Sequence, residues 1–480
     1  MSSKFDIVKK MAAEKAVETG LKYIRQDPKE NFSNLLSIAK KLTQEETYLA
    51  GLEKIEKMAE ESDLIDNYIE RATNLASNYQ ENLAKTFLVN STLLGTSYRK
   101  EKSKELGASV PYTILLDPTS ACNLNCEGCW AGKYEESEKL SFQEIDRIIT
   151  EAKELGIYFF VLSGGEPTMY PRLFDIFEEH PDCVFMMYTN GTLIDEEMAD
   201  KMAEVGNVSP TLSLEGFAEE TDDRRGHGTF GKIEKAMELL KERGILFGTS
   251  FTVTRENCHL LTDDSKFVEA LIDRGAFYTW LFHYIPIGSD PDPELMITPE
   301  QRSELVEKIP QLRKKYPLFI VDFWNDGHFT EGCIAGGQRY FHINASGDVE
   351  PCAFVHFAVD NIKGKSLTEV LQNPLFMEYQ KRTPFNENLY RPCPIIDNPE
   401  ALQDMVEETG AEPTHEGADN IFAEPVASNL KQKAQNWGEV SRPLHYNRHC
   451  HKKVEDSELE DQLSEELEKS QPETAIKNRN

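Results

Sequence analysis

The chain has 480 residues, of which 39% are hydrophobic and 28% charged, as expected for a folded globular protein rather than a disordered one. Its net charge of −31 repels phosphate backbones and excludes nucleic acid as a general partner. The longest apolar run, "IYFFVL" (157–162), is far shorter than the roughly 20 residues of a membrane helix, and the charged N-terminus lacks the apolar core of a signal peptide. We therefore expect a cytoplasmic protein with reduced thiols.

Residues 1–105 are predicted to form an all-helical N-terminal domain. Apolar residues recur there at helical spacing, and "DPKE" (27–30) supplies the N-cap, the first-turn proline and the acidic residue that begin a helix. Two roles stay open for this domain: simple packing, or a lid or docking surface for an apolar substrate or partner. The first apolar stripe runs through Ile7, Met11, Val17, Leu21 and Ile24.

Residues 106–325 switch to short β-rich runs that alternate with amphipathic helical stretches. Six such units with short connections predict an α/β fold, in which a parallel sheet carries helices on its outer side. The spacing alone fits an open doubly wound sheet or a partial barrel, and in both the loops at the C-terminal strand ends carry the chemistry. The predicted strands are "YTILLDPT" (112–119), "YFFVLSGG" (158–165), "CVFMMYTNG" (183–191), "SPTLSLEG" (209–216), "LFGTSFTVT" (246–254) and "TWLFHYIPIG" (279–288).

Three of the nine cysteines fall within "SACNLNCEGCWAG" (120–132), directly after the first predicted strand. A disulfide is disfavoured in a reducing compartment, and structural zinc needs a fourth ligand, whereas no histidine lies between Cys129 and His180. An iron–sulfur cluster is the other common site for clustered thiolates. Three thiolates on a cubane of four irons leave one iron open, and an open iron binds a substrate or cofactor.

The C-x3-C-x2-C spacing of Cys122, Cys126 and Cys129 resembles the signature of the radical S-adenosylmethionine (SAM) enzymes. The resemblance implies a partial (β/α)6 TIM-type barrel over 106–325. It also implies that these three catalytic cysteines ligate a [4Fe-4S] cluster whose fourth iron binds SAM. One electron from the reduced cluster then cleaves SAM to methionine and a 5′-deoxyadenosyl radical, which removes hydrogen from an unactivated C–H bond.

Further motifs carry the same resemblance. "GGEP" (164–167) resembles the strip that binds the methionyl amino group, "SLEG" (213–216) resembles the motif that faces the ribose or carboxylate of SAM, and "YIPIG" (284–288) matches the adenine-side strand end. The arginine fork in "RRGHGTF" (224–230) is a candidate carboxylate partner. The family commonly places an aromatic residue before the third cysteine, where this chain has Gly128, and we expect Trp130 to take that role. The implied SAM-binding residues are Gly164, Gly165, Glu166, Pro167, Ser213, Glu215, Arg225, Trp130 and Tyr284.

Residues 326–400 are predicted to hold a second cluster. "RYFHIN", the turn "ASGD" and "VEPCAF" form a predicted hairpin framed by Cys333 and Cys352, and Cys393 follows in "LYRPCPIID". Cys450 lies in the C-terminal extension 401–480, which ends in an acidic tail. The pattern resembles the auxiliary domains of many radical SAM enzymes and implies a second [4Fe-4S] cluster on these four cysteines. If Cys450 is not a ligand, an open auxiliary iron contacts substrate; a structural zinc site is the alternative.

Four further residues receive simpler predictions. Cys183 begins a predicted strand and Cys258 lies in a loop, so we expect both to be inert thiols. His283 and His259 are candidates for proton transfer near the strand ends, although histidines in such places are more often structural.

The family does not fix the substrate. Stretches such as "GCWAGKY" and "RPCPIIDNPE" resemble the branch that contains the archaeal tetraether lipid synthases, which join lipid tails by C–C coupling. The chain lacks the rubredoxin-type cysteine pairs of those enzymes, so lipid coupling is a hypothesis. Maturation of a ribosomally made peptide is an alternative that lacks a recognisable winged-helix module, and a non-enzymatic electron carrier would not need the SAM motifs. The expected partners are a small-molecule, lipid or peptide substrate and an electron donor such as ferredoxin or flavodoxin, with peripheral membrane contact allowed.

Overall fold

The N-terminal part of the chain is helical, as predicted. A computed structural model describes residues 4–42, 46–132, 138–288 and 291–469, and gives side chains for all of these except 4–9, 42, 46–48 and 449–469. The last eleven residues before helix α6 form a π-helix, a rare winding that often marks functional sites. The helices are α1 (Lys4–Ile24), α2 (Pro28–Leu42), α3 (Glu46–Glu61), α4 (Leu64–Thr73), α5 (Ser77–Leu83), the π-helix (Ala84–Leu94) and α6 (Gly95–Leu106).

A parallel sheet follows, and it confirms the predicted α/β fold and partial barrel. Its strands are β1 (Thr113–Leu116), β2 (Phe159–Leu162), β3 (Val184–Thr189), β4 (Val208–Leu214), β5 (Gly248–Val253), β6 (Tyr278–His283) and β7 (Phe319–Asp322), and they lie in chain order across the sheet. The connecting helices are α7 (Phe142–Glu154), α8 (Leu173–Glu179), α9 (Glu196–Val205), α10 (Ala218–Arg225), α11 (Thr229–Glu242), α12 (His259–Thr262), α13 (Lys266–Asp273) and α14 (Pro299–Lys315).

Strand β7 was not predicted from the sequence. It has four residues, its edge residue Phe319 is 63% exposed, and it follows a helix that contains Pro310. Such a short strand has no clear alternation, and its pairing with β6 is a long-range contact that local sequence does not report.

Alternate residues on each strand face opposite sides of the sheet. On β2, Phe160 and Leu162 belong to the apolar core between the sheet and the outer helices, whereas Phe159 and Val161 face the barrel interior. The outer core is well packed, since Phe160 and Leu162 are fully buried. The inner side is different, because its side chains enclose a cavity of about 730 Å³.

The C-terminal hairpin continues the barrel sheet. Strands β8 (His342–Ile343) and β9 (Val349–Glu350) pair antiparallel as predicted, and β8 also pairs in parallel with β1, so that Leu115 lies beside His342. The predicted turn between them contains Gly347 at φ +92°, a conformation that favours glycine. The cysteine-bearing hairpin is therefore fixed to the barrel edge by backbone hydrogen bonds.

The remaining elements pack around this hairpin. Strand β10 (Phe357–Ala358) pairs antiparallel with β11 (Glu412–Pro413), and Trp437 of the long last helix donates its Nε1–H to the Tyr390 carbonyl at 2.8 Å. Among the described helices, none has the length and apolar character needed to cross a bilayer. The domain limits given above stay predictions. The helices are α15 (Gly327–Thr330), α16 (Leu367–Leu371), α17 (Pro374–Arg382), α18 (Pro399–Thr409) and α19 (Val426–Lys469), with 3₁₀ turns at Pro167–Met169, Pro293–Leu295, Ile362–Gly364 and Ala418–Phe422.

Candidate functional site

The cysteine triplet lies at the C-terminal end of the strands and lines the barrel cavity. Cys122, Cys126 and Cys129 are half-buried, and the same cavity wall includes Gly164, Gly165, Ser213, Arg225, Trp130 and Tyr284. Glu166, Pro167 and Glu215 do not line this cavity and lie behind its wall. The structure thus brings together the motifs that follow the first, second, fourth and sixth strands.

The two glycines of the "GGEP" strip permit a close approach between two backbones. Gly165 donates its N–H to Thr119 O at 3.0 Å, and Glu166 donates its N–H to Ala121 O at 2.8 Å. A Cβ on Gly165 would lie 2.2 Å from Ala121 O, closer than real Cβ atoms approach any backbone atom. The glycine is therefore needed for contact with the cysteine loop itself.

Glu166 connects the strip to the end of β3. Its buried carboxylate accepts hydrogen bonds from Thr189 Oγ1 at 2.7 Å and from the Asn190 N–H at 2.7 Å, as well as from Thr168. Asn190 in turn donates its side-chain amide to Asn123 in the cysteine loop at 2.8 Å. With both oxygens bonded to protein donors, Glu166 holds three loops in register rather than presenting a free carboxylate to the cavity.

Glu215 holds two arginines against the cysteine loop. Its side chain is 1% exposed, and its Oε1 accepts from Arg224 Nη1 at 2.6 Å and from Arg225 Nη2 at 2.6 Å. Arg224 also donates to the carbonyl of Glu127 at 3.1 Å. Only Arg225 was predicted from the sequence; the adjacent arginine in "RRGHGTF" was the signal for the second one. Because one carboxylate serves two arginines, the group keeps a net positive charge at the cavity wall, which suits a substrate or cofactor carboxylate.

Burial raises the pKa of two of the three cysteines. It raises the pKa of Cys122 to about 11, against a hydrogen bond from the Leu124 N–H that favours the thiolate. Burial also raises the pKa of Cys126, an effect that Arg225 partly offsets. Metal binding to these thiols therefore releases protons, and the arginines lie where they compensate thiolate charge.

Tyr284 explains why a glycine precedes the third cysteine. A Cβ on Gly128 would lie 2.7 Å from Tyr284 Cε2, and Gly128 has φ +60°. The tyrosine ring from the end of β6 thus fills the space beside Gly128. Trp130 turns instead toward the C-terminal hairpin, where its ring lies 5.9 Å from His342 and 6.0 Å from Phe354.

A second thiol cluster forms behind Trp130. Cys333, Cys352 and Cys393 lie in one apolar cluster. Burial raises the pKa of Cys333, and the charges of Cys352 and Cys393 raise it further. Burial raises the pKa of Cys352 to about 11 and that of Cys393 to about 12. The side chain of the predicted fourth ligand, Cys450, lies outside the described residues.

Hydrogen-bond donors point at these sulfurs. The Phe354 N–H lies 3.5 Å from Cys352 Sγ, the Ile395 N–H lies 3.4 Å from Cys393 Sγ, and Tyr340 donates its hydroxyl to Cys352 Sγ at 2.7 Å. Donors of this kind stabilise thiolates and tune iron–sulfur clusters. Over the residues described, no three His, Cys, Asp or Glu side chains are grouped so that they could hold a metal ion. Three thiols in one apolar cluster, two of them with donors aimed at their sulfurs, are a donor set that suits an iron–sulfur cluster.

A buried histidine joins the two thiol sites. His342 on β8 lies between Asp117, whose Oδ2 is 2.9 Å from Nε2, and Glu350, whose Oε2 is 2.6 Å from Nδ1. Burial lowers the pKa of His342, but the two carboxylates have the larger effect and raise this pKa to about 10. Asp117 directly follows β1 and Glu350 lies two residues before Cys352, so this imidazolium couples the barrel to the hairpin. No local pattern predicts it, because Asp117 lies more than 200 positions before His342 and Glu350.

The other candidates are placed as follows. His283 lines the cavity, stacks on Trp324 at 5.5 Å and has Nε2 3.2 Å from Asp322 Oδ1. His259 is exposed and does not line the cavity. Cys183 and Cys258 are fully buried in the outer core, in keeping with inert thiols.

Comparisons with known proteins agree with this site. Residues 116–257 match the radical SAM superfamily, and residues 333–394 match SPASM, the iron–sulfur cluster-binding domain. The mycofactocin maturase MftC of Mycobacterium ulcerans is 33% identical over 266 residues, which cover 52% of this chain and 70% of that protein. The AdoMet-dependent heme synthase of Oleidesulfovibrio alaskensis is 27% identical over 316 residues, 59% of this chain and 80% of that one.

One solved structure shows the same fold. Streptococcus suis SuiB bound to its precursor peptide SuiA has a TM-score of 0.52 at 18% identity, over 63% of this chain and 75% of that chain. This chain therefore belongs to the radical SAM superfamily: it is an enzyme that uses a [4Fe-4S] cluster and S-adenosylmethionine, and it carries a SPASM domain for further iron–sulfur binding.

Proposed function

We propose that the enzyme abstracts hydrogen from a long apolar chain, such as a lipid tail, and couples two chains through a C–C bond. The observation that carries the proposal is the cavity inside the barrel. It runs from the cysteine loop to the opposite, N-terminal ends of the strands, where Thr113 and Phe159 line it. Its middle section is lined by Leu115, Val161, Met186, Tyr188, Trp280, Phe282, Phe323 and Phe354.

This interior is unusual for a barrel, because the centre of a TIM-type barrel is ordinarily filled by side chains. A space of about 730 Å³ is within the range of ligand sites. The charged lining residues lie at the two ends, with Arg224 and Arg225 beside the cysteine loop and Arg99, Lys100 and Arg339 among the other lining residues. The middle of the cavity therefore provides apolar contacts for an aliphatic chain and few hydrogen-bond partners for a peptide backbone.

The residues proposed to hold the cofactors are the triplet Cys122, Cys126 and Cys129 and, in the hairpin region, Cys333, Cys352 and Cys393. When bound, the reduced cluster and SAM supply a 5′-deoxyadenosyl radical that takes one hydrogen atom from a substrate C–H bond. Joining two chains removes two hydrogen atoms, so each new bond consumes two SAM molecules and two electrons from an external donor such as ferredoxin or flavodoxin. The chain's own task is to orient SAM with Arg225 and to hold the substrate in a water-poor space.

Peptide maturation is the second candidate. It is favoured by similarity to proteins named mycofactocin maturase and PqqA peptide cyclase, the latter from Granulibacter bethesdensis at 26% identity. Over the described residues that precede β1, every regular element is a helix, which offers no sheet edge for a leader peptide. This all-helical segment and the apolar cavity are our reasons for preferring the lipid proposal.

The test is transfer of deuterium from substrate to 5′-deoxyadenosine. The anaerobically reconstituted enzyme is reduced and given SAM with one of three deuterated substrates: a lipid whose tails are perdeuterated, a perdeuterated peptide mixture, or perdeuterated iron coproporphyrin. The proposal expects deuterated 5′-deoxyadenosine only with the lipid, and deuterium transfer from either other substrate alone would overturn it. Met186→Trp narrows the cavity and should lower lipid-dependent turnover at least tenfold, whereas Met377→Trp, at a residue 38% exposed on α17, should not.

A further inference from the structure

The cavity reaches the protein surface at α6. Four residues of this helix line the cavity at helical spacing, which places them on one face. Lys100 and Arg339 both line the cavity and are exposed, so the cavity reaches solvent at this end. We call this end the α6 mouth. The four helix residues are Thr96, Arg99, Lys100 and Ser103.

Exposed apolar side chains lie on the π-helix that leads into the α6 mouth. Phe87 is 37% exposed, Leu88 47% and Leu93 53%. The Phe87 ring packs edge-on against Phe159 at 5.8 Å and Tyr112 at 6.5 Å. Both of these rings line the cavity, so the exposed patch and the apolar cavity form one continuous surface. Single exposed apolar residues are ordinary, whereas a group that continues into a cavity indicates a binding surface.

The charge of this segment is opposite to that of the chain. Residues 84–106 contain five lysines or arginines and two glutamates, although the chain as a whole has a net charge of −31. Lys100 and Lys104 are exposed and make no ion pair with any described residue. Exposed apolar residues next to basic ones are the pattern with which helices lie on anionic lipid surfaces.

We propose that the π-helix and α6 dock on an anionic membrane surface and that the substrate chain passes from the bilayer into the barrel through the α6 mouth. The second part rests on the proposed function, and the first does not. The apolar patch enters the boundary between headgroups and acyl chains, and the lysines contact the anionic headgroups. The cysteine loop, at the other end of the cavity, stays away from the membrane.

The docking is tested by sedimentation of the holoenzyme with vesicles, without turnover. Vesicles of phosphatidylcholine with about 30% phosphatidylglycerol should bind the enzyme, and pure phosphatidylcholine should bind it at least tenfold more weakly. Each lysine near an anionic surface contributes about a fivefold change in affinity. Reversing the charge of both lysines, Lys100→Glu with Lys104→Glu, should therefore weaken binding by about 25-fold or more. Leu88→Gln with Leu93→Gln should weaken it at least tenfold.

Matched controls lie elsewhere on the surface. Lys235→Glu on α11 and Phe319→Gln on β7, both exposed in the parent protein, should keep the parent affinity. Amide hydrogen exchange should slow across 84–106 when vesicles are added. Equal binding to both vesicle types, or unchanged binding of the two double variants, would overturn the proposal. If the lysine variant instead slows reduction by flavodoxin and keeps its vesicle affinity, the surface binds a protein partner and membrane docking is wrong.

The vesicle-binding experiment and the lipid-turnover experiment can fail independently of each other, so their results distinguish the two proposals. An enzyme that binds anionic vesicles but transfers no deuterium from their lipids keeps the docking surface and loses the lipid-coupling function. An enzyme that turns over lipid in detergent but ignores vesicles keeps the function and loses the docking surface.

Discussion

Gly165 offers a sharp test of how the cysteine loop is held. In the structure, a Cβ at this position would lie 2.2 Å from Ala121 O and 2.3 Å from Ser120 O. Ordinary van der Waals contact begins near 3.4 Å, so Gly165→Ala forces the two backbones apart by about 1.2 Å. The φ of Gly165 is not in the left-handed region, so this displacement arises from the steric clash alone.

The expected size of the effect follows from what that displacement breaks. The hydrogen bonds from the Gly165 and Glu166 N–H groups to the loop would both be lost, at about 1 kcal/mol each in the free energy of unfolding. A shift of about 1 Å in a reacting geometry costs about 100-fold in rate. We expect Gly165→Ala to unfold about 2 kcal/mol more easily and to cleave SAM about 100-fold more slowly.

The assay compares two alanine variants after anaerobic reconstitution. Iron content, the electron paramagnetic resonance spectrum of the reduced clusters and the rate of 5′-deoxyadenosine formation are measured for Gly165→Ala and for Gly231→Ala. Gly231 lies on helix α11 with ordinary φ, and a Cβ added there would meet no atom within 4 Å, so alanine should be neutral or stabilise by up to about 1 kcal/mol. Full SAM cleavage by Gly165→Ala would refute the reasoning, and so would an equal loss in both variants.

The second cluster, the cavity and the buried histidine each allow one more prediction. Cys393→Ala should lose the auxiliary cluster and leave about four of eight irons per chain, as measured by iron analysis, with the spectrum of the SAM-binding cluster retained. Shortening a saturated substrate by one methylene should lower kcat/KM about fourfold, since each buried methylene contributes about 0.8 kcal/mol; a flat series of chain lengths would contradict the apolar cavity as the substrate site. The pKa of His342, raised to about 10 by Asp117 and Glu350, exceeds its unfolded value of about 6.5, so the stability it contributes is complete below about pH 6.5 and is lost as pH rises to about 10. Thermal unfolding should show a fall in Tm across this range that is smaller in His342→Gln.

The barrel and the cysteine loop were predictable because local sequence reports them. Alternating and helical periods mark each βα unit, and the C-x3-C-x2-C spacing has few explanations in a chain with nine cysteines. Helix α7, for example, begins where Ser141 and Glu144 form the capping box seen in the structure.

Long-range pairings were not predictable. The joining of β8 to β1 places His342 beside Leu115, residues more than 200 positions apart, and nothing in "RYFHIN" signals that pairing. For the same reason, the sequence did not indicate that the Glu166 carboxylate accepts hydrogen bonds from Thr189 and Asn190, which follow a different strand. Glu215 differs, because its partners Arg224 and Arg225 lie only 9 and 10 positions along the chain, on α10 of the same βα unit.

The geometry of the cavity connects the N-terminal helices with substrate entry, because α6 lines one end of the cavity. A radical formed beside the cysteine loop must meet its substrate away from water, and the other end of the same cavity lies against α6. A long chain threaded from that end keeps its polar headgroup at the surface, because only its tail fits the apolar middle. Under the lipid proposal, SAM binds at the cysteine loop and the chain enters from the other end of the cavity, so neither has to leave before the other binds. The patch formed by Phe87, Leu88 and Leu93 lies where such a chain would leave a bilayer. Loss of vesicle binding in the leucine variant is therefore the result that bears most directly on how substrate is captured.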